Sequence, residues 1–70
     1  MQITYDPQTD TMNLIFRSAH IAESDEEKPG IILDYDADGQ IVSMEILDAS
    51  KRMPGVTRVE FQVMQPRLSI

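Results

Sequence analysis

Between Ile31 and Leu47 the chain reads Ile-Ile-Leu-Asp-Tyr, then Asp-Ala-Asp-Gly, then Gln-Ile-Val-Ser-Met-Glu-Ile-Leu, a run that leaves few folds open to it. An Asp-Gly step between two stretches of β-forming residues is the strongest short-range signal of a hairpin. Gly39 supplies the positive φ, either in a type I′ turn or as the residue closing a type I turn with a bulge. Leu33 and Tyr35 share one face of the first strand. Val42, Met44 and Ile46 share one face of the second, with Ser43 and Glu45 opposite, so the apolar set is expected to point inward.

The same period of two recurs at the start of the chain. Ile3 and Tyr5 alternate with Gln2 and Thr4, and Met12, Leu14 and Phe16 alternate with Thr11, Asn13, Ile15 and Arg17. The intervening Asp-Pro-Gln-Thr-Asp stretch is turn-rich: Asp6 can accept from backbone N–H groups and Pro7 presets the first central φ. Strands are expected over about 2–6 and 11–17. A further strand is expected near the end, where Val59, Phe61 and Val63 alternate with Arg58, Glu60 and Gln62 until Pro66. Residues 23–28, Glu-Ser-Asp-Glu-Glu-Lys, show no apolar period. Ser24 and Glu27 have capping-box spacing, but Pro29 follows too soon for more than one helical turn, and the stretch reads as a solvated loop. Asp48 is the expected N-cap of a one-turn helix ending near Lys51-Arg52, where positive charge is favoured.

These elements make a mainly β fold, bordering on α+β. It is a small antiparallel meander of about five strands built from hairpins, with one short helical turn. The 70 residues form a single small domain (1–70), with 67–70 as a frayed tail. A chain this short buries only about 60% of the surface its unfolded form exposes. With no cysteine there is no disulfide and no thiolate metal site. The expected remedy is a second copy: a homodimer that buries the apolar sheet face or extends the sheet.

Twelve acids against six Lys/Arg give a formal charge of -6. That balance opposes nucleic-acid binding and suits a basic protein partner. No apolar run reaches membrane-span length and no leader pattern opens the chain, so a cytoplasmic protein with no membrane partner is expected.

Asp34, Asp36, Asp38, Gly39 and Glu45 satisfy the spacing of a calcium loop, with acids at positions 1, 3 and 5, Gly at 6 and Glu at 12. Three carboxylates closed by Glu45 would suit a hard cation, which makes a divalent-cation module the alternative reading. Against it, the flanking residues read as strands rather than helices, and Val42 at position 9 offers no side-chain oxygen. A hairpin with solvated acids is therefore expected, with no metal site and no cofactor. His20 is the only histidine and reads as a loop or edge residue rather than an acid–base partner of Asp10 or Glu23. Paired acids such as Asp25-Glu26-Glu27 need a cleft and a raised pKa for glycosidase-type work, and so short a meander leaves little room for one. No catalytic residue is assigned, and an enzyme is not expected.

Two stretches carry a family likeness: Tyr5-Asp6-Pro7 through Asp10-Thr11-Met12, and Gly30-Ile31-Ile32-Leu33-Asp34-Tyr35-Asp36 through Asp38-Gly39 into Glu45-Ile46-Leu47-Asp48-Ala49-Ser50. Over about residues 3–52 the chain resembles the bacterial domain-of-unknown-function family numbered 2283. The resemblance implies no catalytic residue, since the family has no established activity. Small members are suspected of being encoded beside toxin-like genes, which would suit an acidic protein meeting a basic one.

Overall fold

The computed structural model describes residues 1–65. Strands β1 (Gln2–Asp6), β2 (Thr11–Ile15), β3 (Glu23–Lys28), β4 (Ile31–Tyr35) and β5 (Ile41–Ile46) precede one helical turn, α1 (Ala49–Arg52). They form one antiparallel sheet in the order β1-β2-β5-β4-β3. The mainly β class holds, but the order is not a simple meander. After β2 the chain passes the ends of β5 and β4 to reach the far edge. Phe16 and Arg17 N–H donate to the Val42 carbonyl and Ala22 N–H donates to that of Tyr35 along the way.

Both local hairpin signals hold. Asp6 Oδ1 accepts from Gln8 N–H at 2.9 Å, which starts the β1–β2 turn. At the β4–β5 turn Gly39 N–H donates to the Asp36 carbonyl and Gly39 has φ 78°, while Ala37 and Asp38 stay at negative φ. This is the type I turn closed by a left-handed glycine, not the type I′ turn.

Two expectations about strands are corrected. Residues 23–28 are not a loop but an edge strand, paired with β4 from Glu23↔Tyr35 to Lys28↔Ile31. The strand has no apolar residue to reveal its period; pairing with β4 creates it, overriding propensity. Pro29-Gly30 is its two-residue turn, with Gly30 at φ 83° as the second central position of a type II turn demands. Conversely, 56–63 is not a strand in this chain. Its alternation is real, but among the described residues no backbone partner lies beside it, and a segment without a ladder is not a sheet element. The expected Pro66 boundary and 67–70 tail lie outside the described residues.

Register assigns the faces. On one face Tyr5, Met12, Ile46 and Ile31 form a cross-strand row, and Ile3, Leu14, Met44 and Leu33 form the next. On the other, Gln2, Ile15, Ser43, Asp34 and Ser24 make one row, and Thr4, Asn13, Glu45, Ile32 and Glu26 another. The apolar face is covered only at one end. Among the described apolar residues only Val42 and Ala49 are buried, and no large side chain is fully so. No helix among the described residues is long and apolar enough to cross a membrane.

Candidate functional site

The calcium-loop residues are separated by the hairpin that contains them. Asp34, in the centre of the polar face, is buried at 3% exposure. Its Oδ1 accepts from Ser24 Oγ at 2.6 Å and its Oδ2 from Ser43 Oγ at 2.7 Å. Asp36 turns into its own loop, where Oδ1 accepts from Asp38 and Gln40 N–H at 2.9 Å each. Its other oxygen pairs with the Arg17 guanidinium. The Gln40 N–H and then Arg17 hold the Asp36 carboxyl below the usual carboxylate value. Asp38 is exposed at the turn tip. No group of three or more His, Cys, Asp or Glu side chains among the described residues is placed to hold a metal ion.

Glu45 does come near one of the expected partners. It lies on the same face as Asp34, and burial first, then the Asp34 charge and a carboxyl–carboxylate hydrogen bond, raise its pKa above 4.5. The expectation of solvated hairpin acids fails at Asp34, which is 3% exposed beside a Ser43 that is 7% exposed. Hydroxyl donors two strands apart make burial of that carboxylate tolerable.

A second acid carries a role that local spacing does not reveal. Asp10, at φ 52°, accepts from Tyr5 Oη at 2.8 Å, from Ser50 N–H at 3.0 Å and from Ser50 Oγ at 2.7 Å. Its carbonyl also accepts from Ala49 N–H at 2.9 Å. Asp10 therefore satisfies the first two N–H groups of α1, while Asp48 holds the expected N-cap position without supplying the side-chain bond. Asp48 sits at φ 53° and its side chain makes no capping bond. The Ser50 hydroxyl, then Tyr5, hold the Asp10 carboxyl below its usual value, while the bond to Asp10 raises the Tyr5 phenol. The two residues are 40 apart in sequence, so no short-range pattern betrays the contact. The only hint is that each lies in one of the two family-like stretches.

These bonds hold α1 against the end of the sheet. Arg52 completes the attachment: Nε donates to the Leu47 carbonyl at 3.0 Å and Nη2 donates to the Pro29 carbonyl. Lys51 stays exposed, so the basic pair divides between a structural and a free side chain. Between α1 and the apolar face opens a groove of about 380 Å³, with Ile3, Tyr5 and Met12 as its floor. Ala49 and Met53 form one wall, and the chain from Gly55 to Val59 the other. His20 is exposed in the connection beyond β2, at the opposite end of that strand from Asp10.

No curated protein and no solved structure matches this chain. A family model described as a protein of unknown function, DUF2283, matches residues 2–50, from the first residue of β1 to the Ser50 that closes the Asp10 clasp. With 49 of 70 residues inside that match, the chain belongs to the DUF2283 family of proteins of unknown function.

Proposed function

We propose that this protein is a non-enzymatic interaction module that works through its apolar sheet face, which a second copy of the chain covers. The observation that carries this reading is the two rows of apolar side chains, Tyr5-Met12-Ile46-Ile31 and Ile3-Leu14-Met44-Leu33, none of which is buried. A sheet with one apolar face needs a second layer, and one helical turn covers only a corner of it. The polar groups with catalytic potential are engaged in holding the fold: Asp34 by two serines, Asp36 by its turn and Arg17, Asp10 by Ser50 and Tyr5.

The edge strand β3 supports a basic protein partner beside the self-association. It carries Glu23, Asp25, Glu26 and Glu27 against the single Lys28, within a chain of net charge -6. Such a field steers a cationic partner and repels nucleic acid. Sedimentation of the full chain tests the central claim: a dimer is expected, and a well-folded monomer at tens of micromolar overturns it. Binding to a small basic protein encoded beside it is expected to weaken steeply with salt.

A further inference from the structure

The segment from Val56 to Val63 has the alternation of a half-buried strand but pairs with no strand among the described residues. Exposure climbs along it, from 49% at Val56 and 56% at Val59 to 72% at Phe61 and 77% at Val63. Its root therefore touches its own groove, and its distal half touches almost nothing. The radius of gyration of 14.7 Å exceeds the ~11 Å of a compact chain of this length, as an open single sheet with a projecting segment requires. An isolated row of valines and a phenylalanine held in water is the surface of an interface.

We propose that this arm is exchanged: Val59–Met64 of one copy lies along the β1 edge of a second copy, with Phe61 seated over Ile3, Tyr5 and Met12. The proposal rests on the reading of the chain as self-associating and names the element that does it. Among the described residues the sheet ends in two unpaired edges, β1 and β3, and their charges select between them. β3 presents four acids and one lysine, the charge-guarded edge that resists strand addition. β1, Gln-Ile-Thr-Tyr-Asp, has a single charge at its end and turns Ile3 and Tyr5 to the apolar face. The six residues Val59–Met64 reach about 20 Å when extended, enough to run the length of five-residue β1 at about 17 Å. Glu60 is the one charge within Val59–Met64, and Arg58 lies 3.6 Å from it just before the segment, so the arm brings little net charge to that edge. Strand addition supplies the missing backbone partner, and the groove takes the alternate apolar side chains. Two reciprocal arms with the faces they cover engage roughly 20 residues on each side, the scale of a standard stable interface.

The test uses full-length chains. The wild type is expected to sediment as a dimer. Phe61→Glu, at a position the sheet does not use, should keep the far-ultraviolet spectrum and raise the dimer dissociation constant at least about 30-fold, the scale of an interface hot spot. Because the chain lacks cysteine, a nitroxide placed through Gln62→Cys marks the arm cleanly. Mixed with ¹⁵N-labelled Phe61→Glu chains, it should broaden amides of Ile3–Tyr5 and Met12. A wild-type dimer that Phe61→Glu leaves intact, or broadening at Glu23–Lys28 in place of β1, overturns arm exchange and leaves face-mediated association standing. A wild-type monomer overturns both readings.

Discussion

Replacing Ser43 with alanine removes one oxygen from the middle of the polar face and leaves the strand register unchanged. That hydroxyl donates to Asp34 Oδ2 at 2.7 Å, and the carboxylate it serves is 3% exposed, so water has no ready access to replace it. A hydrogen bond to a charged group contributes about 1.5–3 kcal/mol, and Ser43→Ala is expected to cost about 2 kcal/mol. A domain of this size has a total margin of about 3.5–10 kcal/mol, so the loss is a fifth of it or more. Ser24→Ala removes the other donor, at 2.6 Å from Oδ1, but Ser24 lies on an exposed edge strand where water can substitute. Its cost should stay near 0.5–1 kcal/mol, the ordinary value of about 1 kcal/mol or less. Asp34→Ala forfeits both bonds, so adding Ser43→Ala to it should cost little more, a coupling of about 1.5 kcal/mol. Urea unfolding at one fixed protein concentration measures these differences, because the stability of an associating chain depends on concentration. With a slope near 1 kcal/mol/M, Ser43→Ala should move the midpoint by about 2 M. A Ser43→Ala change within about 0.5 kcal/mol of wild type, or costs that simply add, would show Asp34 to be hydrated and the serine cage incidental.

Gly30→Ala should destabilise by about 1–3 kcal/mol, because φ 83° is left-handed and a Cβ there would meet Arg52 Nη2 at 2.5 Å. Calorimetry should show a lowered melting temperature; because Arg52 itself holds α1, Gly30→Ala/Arg52→Ala should cost less than the sum of the two single changes, and an unchanged melting temperature in Gly30→Ala refutes the reasoning. Glu45→Gln should stabilise at neutral pH. Its carboxyl holds a proton more tightly in the folded state than its ordinary 4.5, so the folded chain binds more protons above that value and stability falls as pH rises through the shifted range. Asp10 and Asp36, lowered from 3.8, have the opposite sign and lose their contribution as pH falls. The benefit of Glu45→Gln should vanish below about pH 4, and a benefit independent of pH would refute the titration.

The parts of this fold legible in the sequence are those whose cause is local. The β4–β5 hairpin announces itself through Asp38-Gly39, and the β1–β2 hairpin through Asp6-Pro7, because turn chemistry and period-two alternation act within a dozen residues. β3 is illegible because its strand character comes from β4: six polar residues take an extended form only when an edge is offered. Even its turn misleads, since Pro29-Gly30 stops a helix as well as it makes a type II turn. The calcium-like spacing is equally instructive. A strand, a type I turn and a returning strand place Asp34, Asp36 and Glu45 where a calcium loop would have them in sequence. In space the sheet sends Asp34 and Glu45 to one face and folds Asp36 onto its own turn. The Asp10–Ser50 clasp had no local cause at all, and only the fold reveals it.

The boundary of the family match separates fold from association in a way that can be measured. Residues 2–50 contain all five strands, the Asp34 serine cage and both partners of the Asp10 clasp, so the family match spans the sheet and stops before the arm. The arm begins beyond Ser50, and changes in it should leave the sheet's own stability alone. Mass action then gives a signature that neither set of residues can imitate. A chain stabilised by binding its own copy melts at a temperature that rises with protein concentration, while one that folds alone does not. Wild type should show that rise. Phe61→Glu should abolish it while matching wild type in the dilute limit, whereas Ser43→Ala should lower the melting temperature at every concentration and keep the slope. A Phe61→Glu chain that melts lower than wild type even at infinite dilution would mean that the arm packs on its own sheet, and the exchanged strand would have to be given up.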